Sequence, residues 1–229
     1  MRHAWPQLFC TVLCVASYQL YIRKFENREL SELSFNGAWR ELFLGAAIGT
    51  AAFLVVVGML WGSGAFRVDG LNHWSVLLSS VSELTLVAFF EEILFRGILL
   101  RILEIWIGRI PSLLVSACLF ALAHLPNEGI SLLGIAVTIV AGLMFGFAYL
   151  VTRRLWLPIG IHFFWNFMSD GVFSLATSGH PANGLIQVQL SGPQWLTGGA
   201  YGIEASLVTL LVITVATLWL AKFPRVQPS

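Results

Sequence analysis

Glu91, Glu92 and Arg96 interrupt an otherwise apolar run, Ala88-Phe89-Phe90-Glu91-Glu92-Ile93-Leu94-Phe95-Arg96-Gly97. A charge at bilayer depth costs at least ~2.5–3.5 kcal/mol on insertion scales. Three such groups so close together must recover that cost by pairing. On a helix Glu92 and Arg96 are i and i+4, share a face, and can pair. Glu91 is rotated from Glu92 by ~100°, faces elsewhere, and is left as a carboxylate free to act as a base. His124 closes the run Phe120-Ala121-Leu122-Ala123-His124, one turn from a ring that can orient it. His162 and Asn166 close a third pattern, Gly160-Ile161-His162-Phe163-Phe164-Trp165-Asn166, again at i and i+4. Each group alone has a bland reading. A histidine at a helix end is commonly interfacial, and a His–Asn pair is commonly hydrogen-bonding glue between helices. Together they supply a base, an imidazole to orient water and two hydrogen-bond donors. That set suits water attack on a carbonyl, with the oxyanion held by fixed donors.

The elements that must position these groups are apolar helices. The chain is 57% hydrophobic and only 11% charged, where a soluble domain carries about 25%. It reads as an all-α, polytopic transmembrane helix bundle of about seven spanning helices, one membrane domain over residues 1–229 with no room for a soluble domain beside it. The seven segments are Trp5–Ile22, Glu41–Trp61, Val76–Leu100, Pro111–His124, Ile130–Val151, Leu157–Leu175 and Ile203–Ala221. Pro111–His124 is short. Counting ~1.5 Å per residue, His124 lies ~22 Å from Arg109, while Glu91 lies ~15 Å from Arg101 and His162 ~12 Å from Arg154. The fourth helix must be tilted, start inside the membrane, or carry His124 in a bent end. Gly142 and Gly146 form a G-x-x-x-G pair, read as close helix packing. Cys10, Cys14 and Cys118 read as reduced small hydrophobes.

The basic residues alternate between loops. Arg23, Lys24, Arg28, Arg40, Arg101, Arg109, Arg153, Arg154, Lys222 and Arg225 fall on one side, Arg2 and Arg67 on the other. The positive-inside rule then sets the N-terminus outside and the C-terminus in the cytoplasm, with the bacterial plasma membrane as the expected location of so short a multi-pass chain. No cleavable signal peptide is expected. Arg23–Arg40 reads as an interfacial amphipathic stretch, and the Gly- and Pro-rich Ser178–Gly202 as an ordered external loop. Glu83 lies near the interface and is read as solvated. A net charge of +1 implies no nucleic-acid partner.

Glu91-Glu92-x-x-x-Arg96, Phe120-x-x-x-His124 and His162-x-x-x-Asn166 resemble, in order, the motif set of the CPBP intramembrane proteases. These are also called the Abi or CAAX-protease family and include the type II CAAX prenyl endopeptidase. The resemblance covers a catalytic core at about residues 76–171. It implies that Glu91 activates water, that His124 helps to hold that water, and that His162 and Asn166 form an oxyanion hole. It further implies an intramembrane endopeptidase acting on membrane-associated or lipidated peptides, surrounded by membrane lipid, its peptide or membrane-protein substrate prenylated or not. The prenyl-processing members have an eighth helix, where seven are counted here.

Other readings are weaker. A transporter would be expected to show an inverted repeat or paired broken helices, and neither is visible. There is no His-Glu-x-x-His, no rhomboid Gly-x-Ser-Gly, and no aspartate pair at depth. A non-catalytic membrane binding or immunity scaffold of the same family is the alternative. Glu91, His124 and His162 could also be a His₂Glu zinc set. A cofactor-free site is expected instead, because each histidine shares its helix face with Phe120 or Asn166 and Glu92 is committed to Arg96.

Overall fold

The computed structural model describes residues 5–223, so Arg2 and Arg225 lie outside it. Every one of the seven apolar segments forms helix. In chain order the helices are α1 (Trp5–Tyr21), α2 (Ala38–Gly62), α3 (Val76–Glu92), α4 (Arg101–Ile107), α5 (Arg109–Ala123), α6 (Leu132–Thr152), α7 (Trp156–Asn166), α8 (Gln194–Thr197) and α9 (Leu207–Leu220). Helix α3 runs through a π-helical stretch, Ile93–Leu100, directly into α4, and α7 runs into a second one, Phe167–Val172. Local chemistry marks several ends. Ser131 accepts from the Gly134 N–H at 3.1 Å to cap α6, and Ser206 accepts from the Thr209 N–H at 3.1 Å to cap α9. Pro111 and Pro158 sit in first turns, where a missing N–H is harmless.

Among the described residues, α2 and α6 are the helices long and apolar enough to cross a membrane unaided. The other five apolar segments are shorter as α-helix or pass into π turns. Leu207, Leu211, Val215 and Leu218 form an exposed apolar stripe along α9, a face suited to hydrocarbon. The all-helical expectation misses one feature. Strands β1 (Phe66–Leu71) and β2 (Ile186–Leu190) pair antiparallel, with Phe66 opposite Leu190 and Leu71 opposite Ile186. The signal was the alternation Ile186-Gln187-Val188-Gln189-Leu190 inside a Gly-rich loop.

The basic loops gather at one end of the bundle. Arg28 pairs with Glu26 and Glu32, and Arg101 reaches across to Glu26. Arg153 pairs with Glu104 at 2.5 Å, Arg109 with Glu104 at 3.0 Å, and Arg154 with Glu41 at 3.1 Å. Between the π turn (Ile22–Glu26) and the start of α2 at Ala38, the stretch expected to be interfacial and amphipathic is an ion-paired loop. Burial pushes the Glu104 and Glu26 carboxyls up, but bonds from Arg153 and Arg109, and from Arg101 and Arg28, outweigh it and hold both below the ordinary value. A depressed carboxylate stabilises the fold fully above its unfolded value and loses that contribution as pH falls through the folded one. Thermal unfolding should thus be insensitive to these clamps above pH about 4.5 and show a lower midpoint as pH drops beneath it. Glu104→Gln should flatten that slope.

Helices α2 and α7 cross backbone against backbone, and this crossing positions α7 at the site. A Cβ on Gly45 would come within 2.5 Å of the Leu157 carbonyl oxygen, and one on Gly49 within 2.5 Å of the Ile161 oxygen. From the other side, a Cβ on Gly160 would meet the Leu42 oxygen at 2.7 Å. Gly45 and Gly49 are thus a second G-x-x-x-G, unremarked in the sequence reading, which holds α7 backbone to backbone on α2. The Gly142–Gly146 pair does pack closely, against Ala117 and Leu113 of α5. Gly49→Val should force α7 off α2 and lower the yield of folded protein several-fold in detergent extracts, since overpacking of this kind costs about 1–3 kcal/mol. Gly58→Val on the same helix, where no neighbouring atom lies within 4 Å, is the control expected to be silent.

Candidate active site

Helix α3 ends at Glu92, where the backbone widens into the π turn that carries Arg96. Glu92 and Arg96 are both fully buried. Arg96 Nη1 donates to Glu92 Oε1 at 2.9 Å, as the spacing predicts, and Nη2 donates to the Gly142 carbonyl at 3.2 Å. The guanidinium lies 4.6 Å from the Phe120 ring centroid and 5.0 Å from that of Phe145. Two aromatic faces therefore share its charge.

Glu92 does more than neutralise Arg96. Its Oε1 also accepts from His162 Nδ1 at 2.9 Å. A carboxylate can only accept, so this bond puts a proton on Nδ1 and turns Nε2 toward the remaining groups. Glu91 does not face away either. Its Oε2 lies 3.8 Å from His162 Nε2, so the two adjacent glutamates approach opposite nitrogens of one imidazole. The ~100° turn between neighbours separates their Cβ directions, but an imidazole inserted between them spans the gap. The α2–α7 glycine seam brings α7 close enough for this. Phe145 stacks on the His162 ring at 4.8 Å with a 10° interplanar angle and fixes its plane. Glu91 Oε2 is buried and has no hydrogen-bond partner among the described residues.

His124 caps the C-terminus of α5, and this end position, not a deep helix, accounts for its distance from Arg109. Its Nδ1 donates to the Phe120 carbonyl at 2.8 Å, which leaves Nε2 as an acceptor. The Phe120 ring packs 4.6 Å from His124 and 6.4 Å from His162, touching both imidazoles. His124, His162 and Asn166 line one cavity of about 50 Å³, large enough for a few waters. Asn166 is buried, and its amide has no hydrogen-bond partner among the described residues. Glu91 is not part of the cavity lining and meets the group through His162. All six sequence-derived residues thus fall in one connected cluster. Among the described residues no three His, Cys, Asp or Glu side chains gather as a metal-binding group.

The cavity is also lined by four polar residues that no sequence motif marks, Thr138, Ser178, Glu204 and Thr209. Glu204 Oε1 accepts from Trp165 Nε1 at 2.8 Å, and Oε2 accepts from the Ser178 N–H at 2.6 Å and its hydroxyl at 2.7 Å. The available signal was a lone carboxylate at the start of an apolar segment. Glu83, by contrast, is exposed, in line with its solvated reading.

The cluster holds a buried carboxylate oxygen without a partner, a histidine oriented by a second carboxylate, a histidine with a free Nε2, and an unengaged amide. No curated protein and no solved structure matches the chain. A family model does, over the stretch that runs from just before α3 to the π turn after α7 and contains all three motifs. That model is the type II CAAX prenyl endopeptidase Rce1-like one, matched at residues 72–168, and its family is a membrane-embedded protease family.

Proposed function

We propose that the chain is an intramembrane endopeptidase that hydrolyses peptide bonds by Glu-activated water attack, without a metal. The observation that carries this is the unpartnered, buried Glu91 Oε2 set 3.8 Å from a histidine whose other nitrogen is fixed. Glu91 takes a proton from water as the oxygen attacks the carbonyl carbon. His124 Nε2 accepts a hydrogen bond from that water and holds it. The Asn166 amide donates to the oxyanion that forms, as does His162 from Nε2 when both ring nitrogens carry protons. Collapse breaks the C–N bond, and the proton on Glu91 passes to the leaving nitrogen. Glu92 and Arg96 hold His162 in place and leave the site without excess charge. Glu92 Oε1 already serves Arg96 and His162, which supports the metal-free reading.

The family supports a peptide or membrane-protein substrate presented at the bilayer, and the bias of basic residues between loops supports an N-outside, C-cytoplasmic orientation. The test is mass spectrometry of membrane peptides from cells with the native chain against cells with Glu91→Ala. Peptides that end at new termini only with the native chain support the reading. Identical peptide sets, with both proteins present in equal amount, reject it. Purified protein stripped of metal, verified by elemental analysis, should keep its activity; stoichiometric zinc whose removal abolishes cleavage and whose return restores it refutes the metal-free mechanism.

A further inference from the structure

Glu204 lies outside the Rce1-like stretch, yet it lines the cavity together with His124, His162 and Asn166. It is buried and accepts three hydrogen bonds, all from two residues that also line the cavity, Trp165 and Ser178. Among the described residues no ion pair joins it to a cation. An ionised group kept in a low-dielectric interior on neutral donors alone carries a large desolvation cost. An apolar side chain would fill the same space at less cost, so stability alone does not account for it.

Its two partners tie together different parts of the molecule. Trp165 immediately precedes Asn166 on α7, and its ring packs edge to face on Phe53 of α2, centroids 5.5 Å apart. Fixing the indole at both ends fixes the rotation of α7 about its axis, and so the aim of His162 and Asn166. Ser178 sits at the turn of the loop after α7 in a left-handed conformation, φ +49°, which a non-glycine residue adopts only under constraint. The Ser178 carbonyl accepts from Asn127 Nδ2 at 2.9 Å, three residues beyond His124. Backbone contact reinforces this: a Cβ on Gly179 would lie 2.3 Å from the Glu128 oxygen.

We propose that Glu204 is a positioning residue that clamps the loop over the cavity to the Trp165–Asn166 end of α7, so that the loop, the His124 cap and the oxyanion-binding face move as one unit. The catalytic part of this inference rests on the endopeptidase reading; the clamp itself does not. Two measurements separate them. In nanodiscs, hydrogen exchange at the Ser178 amide should accelerate by about tenfold or more in Glu204→Met, which orphans all three donors. Residues of the α2–α6 core should exchange as in the native protein. Glu204→Gln should lie between, because one amide oxygen can serve Ser178 or Trp165 but not both. On an internally quenched farnesylated CAAX peptide, Glu204→Met should lower kcat by about tenfold or more while KM stays within about twofold. Unchanged exchange at Ser178, or acceleration spread evenly over the whole chain, overturns the clamp. Local release with kcat intact overturns its catalytic role. If the native protein cleaves neither this peptide nor any membrane peptide in the comparison with Glu91→Ala, the endopeptidase reading fails and the exchange data alone decide the clamp.

Discussion

Glu91→Gln is expected to accumulate in membranes at the native level and to lose cleavage by about 10²–10⁴-fold, the range a positioned general base contributes. The substitution is nearly isosteric. It disturbs no hydrogen bond among the described residues, because the buried Oε2 has none to lose. The side chain is partly exposed and its nearest ionic neighbour, His162 Nε2, is already beyond bonding distance. Stability is therefore expected to change little while the proposed general base disappears. Immunoblotting of membranes beside the peptide assay reads both quantities. A Glu91→Gln protein that still cleaves, beside a well-folded and inactive Glu92 variant, reverses the division of labour between the two glutamates.

Glu92→Gln has the opposite signature. It removes the counter-charge of a fully buried guanidinium and the ionised acceptor of His162 Nδ1. Breaking a buried pair from one side costs about 3–5 kcal/mol, comparable to the whole stability of many domains. The expected result is low yield and a depressed unfolding midpoint in detergent. Removing both charges is gentler than removing one, so Glu92→Gln with Arg96→Met should recover a large part of the lost stability. Recovery of yield without recovery of cleavage is expected, because His162 stays without its carboxylate. A Glu92→Gln protein as stable as the native one shows that the pair is not what holds these helices together.

Much of the site was legible in the sequence because its costs are local. A charge in hydrocarbon is conspicuous at any position, and helical spacing alone pairs Glu92 with Arg96 and aligns His162 with Asn166. The seven apolar segments follow from composition for the same reason, and each is helical. The G-x-x-x-G spacing at Gly142 and Gly146 and the same spacing at Gly45 and Gly49 both mark close crossings, on different helices. Glycine spacing shows that a close approach is possible without naming which helix comes close.

What the tertiary structure decided are the relations between segments. That Glu91 and Glu92 approach one imidazole depends on α7 lying backbone to backbone on α2, and α7 is some seventy residues further on. Helical phase is a property of one element; the distance from Glu92 to His162 is set by the packing of three. The place of His124 follows from α5 ending there, which spacing left open among three geometries. Glu204 was invisible for a related reason. A lone carboxylate at the mouth of an apolar segment looks like an interfacial residue, and only the return of the loop places Trp165 and Ser178 on its two oxygens. The chain alone names the groups that can do chemistry, because their burial is expensive wherever they sit. Their order around the cavity is a matter of long-range contacts that no local pattern encodes.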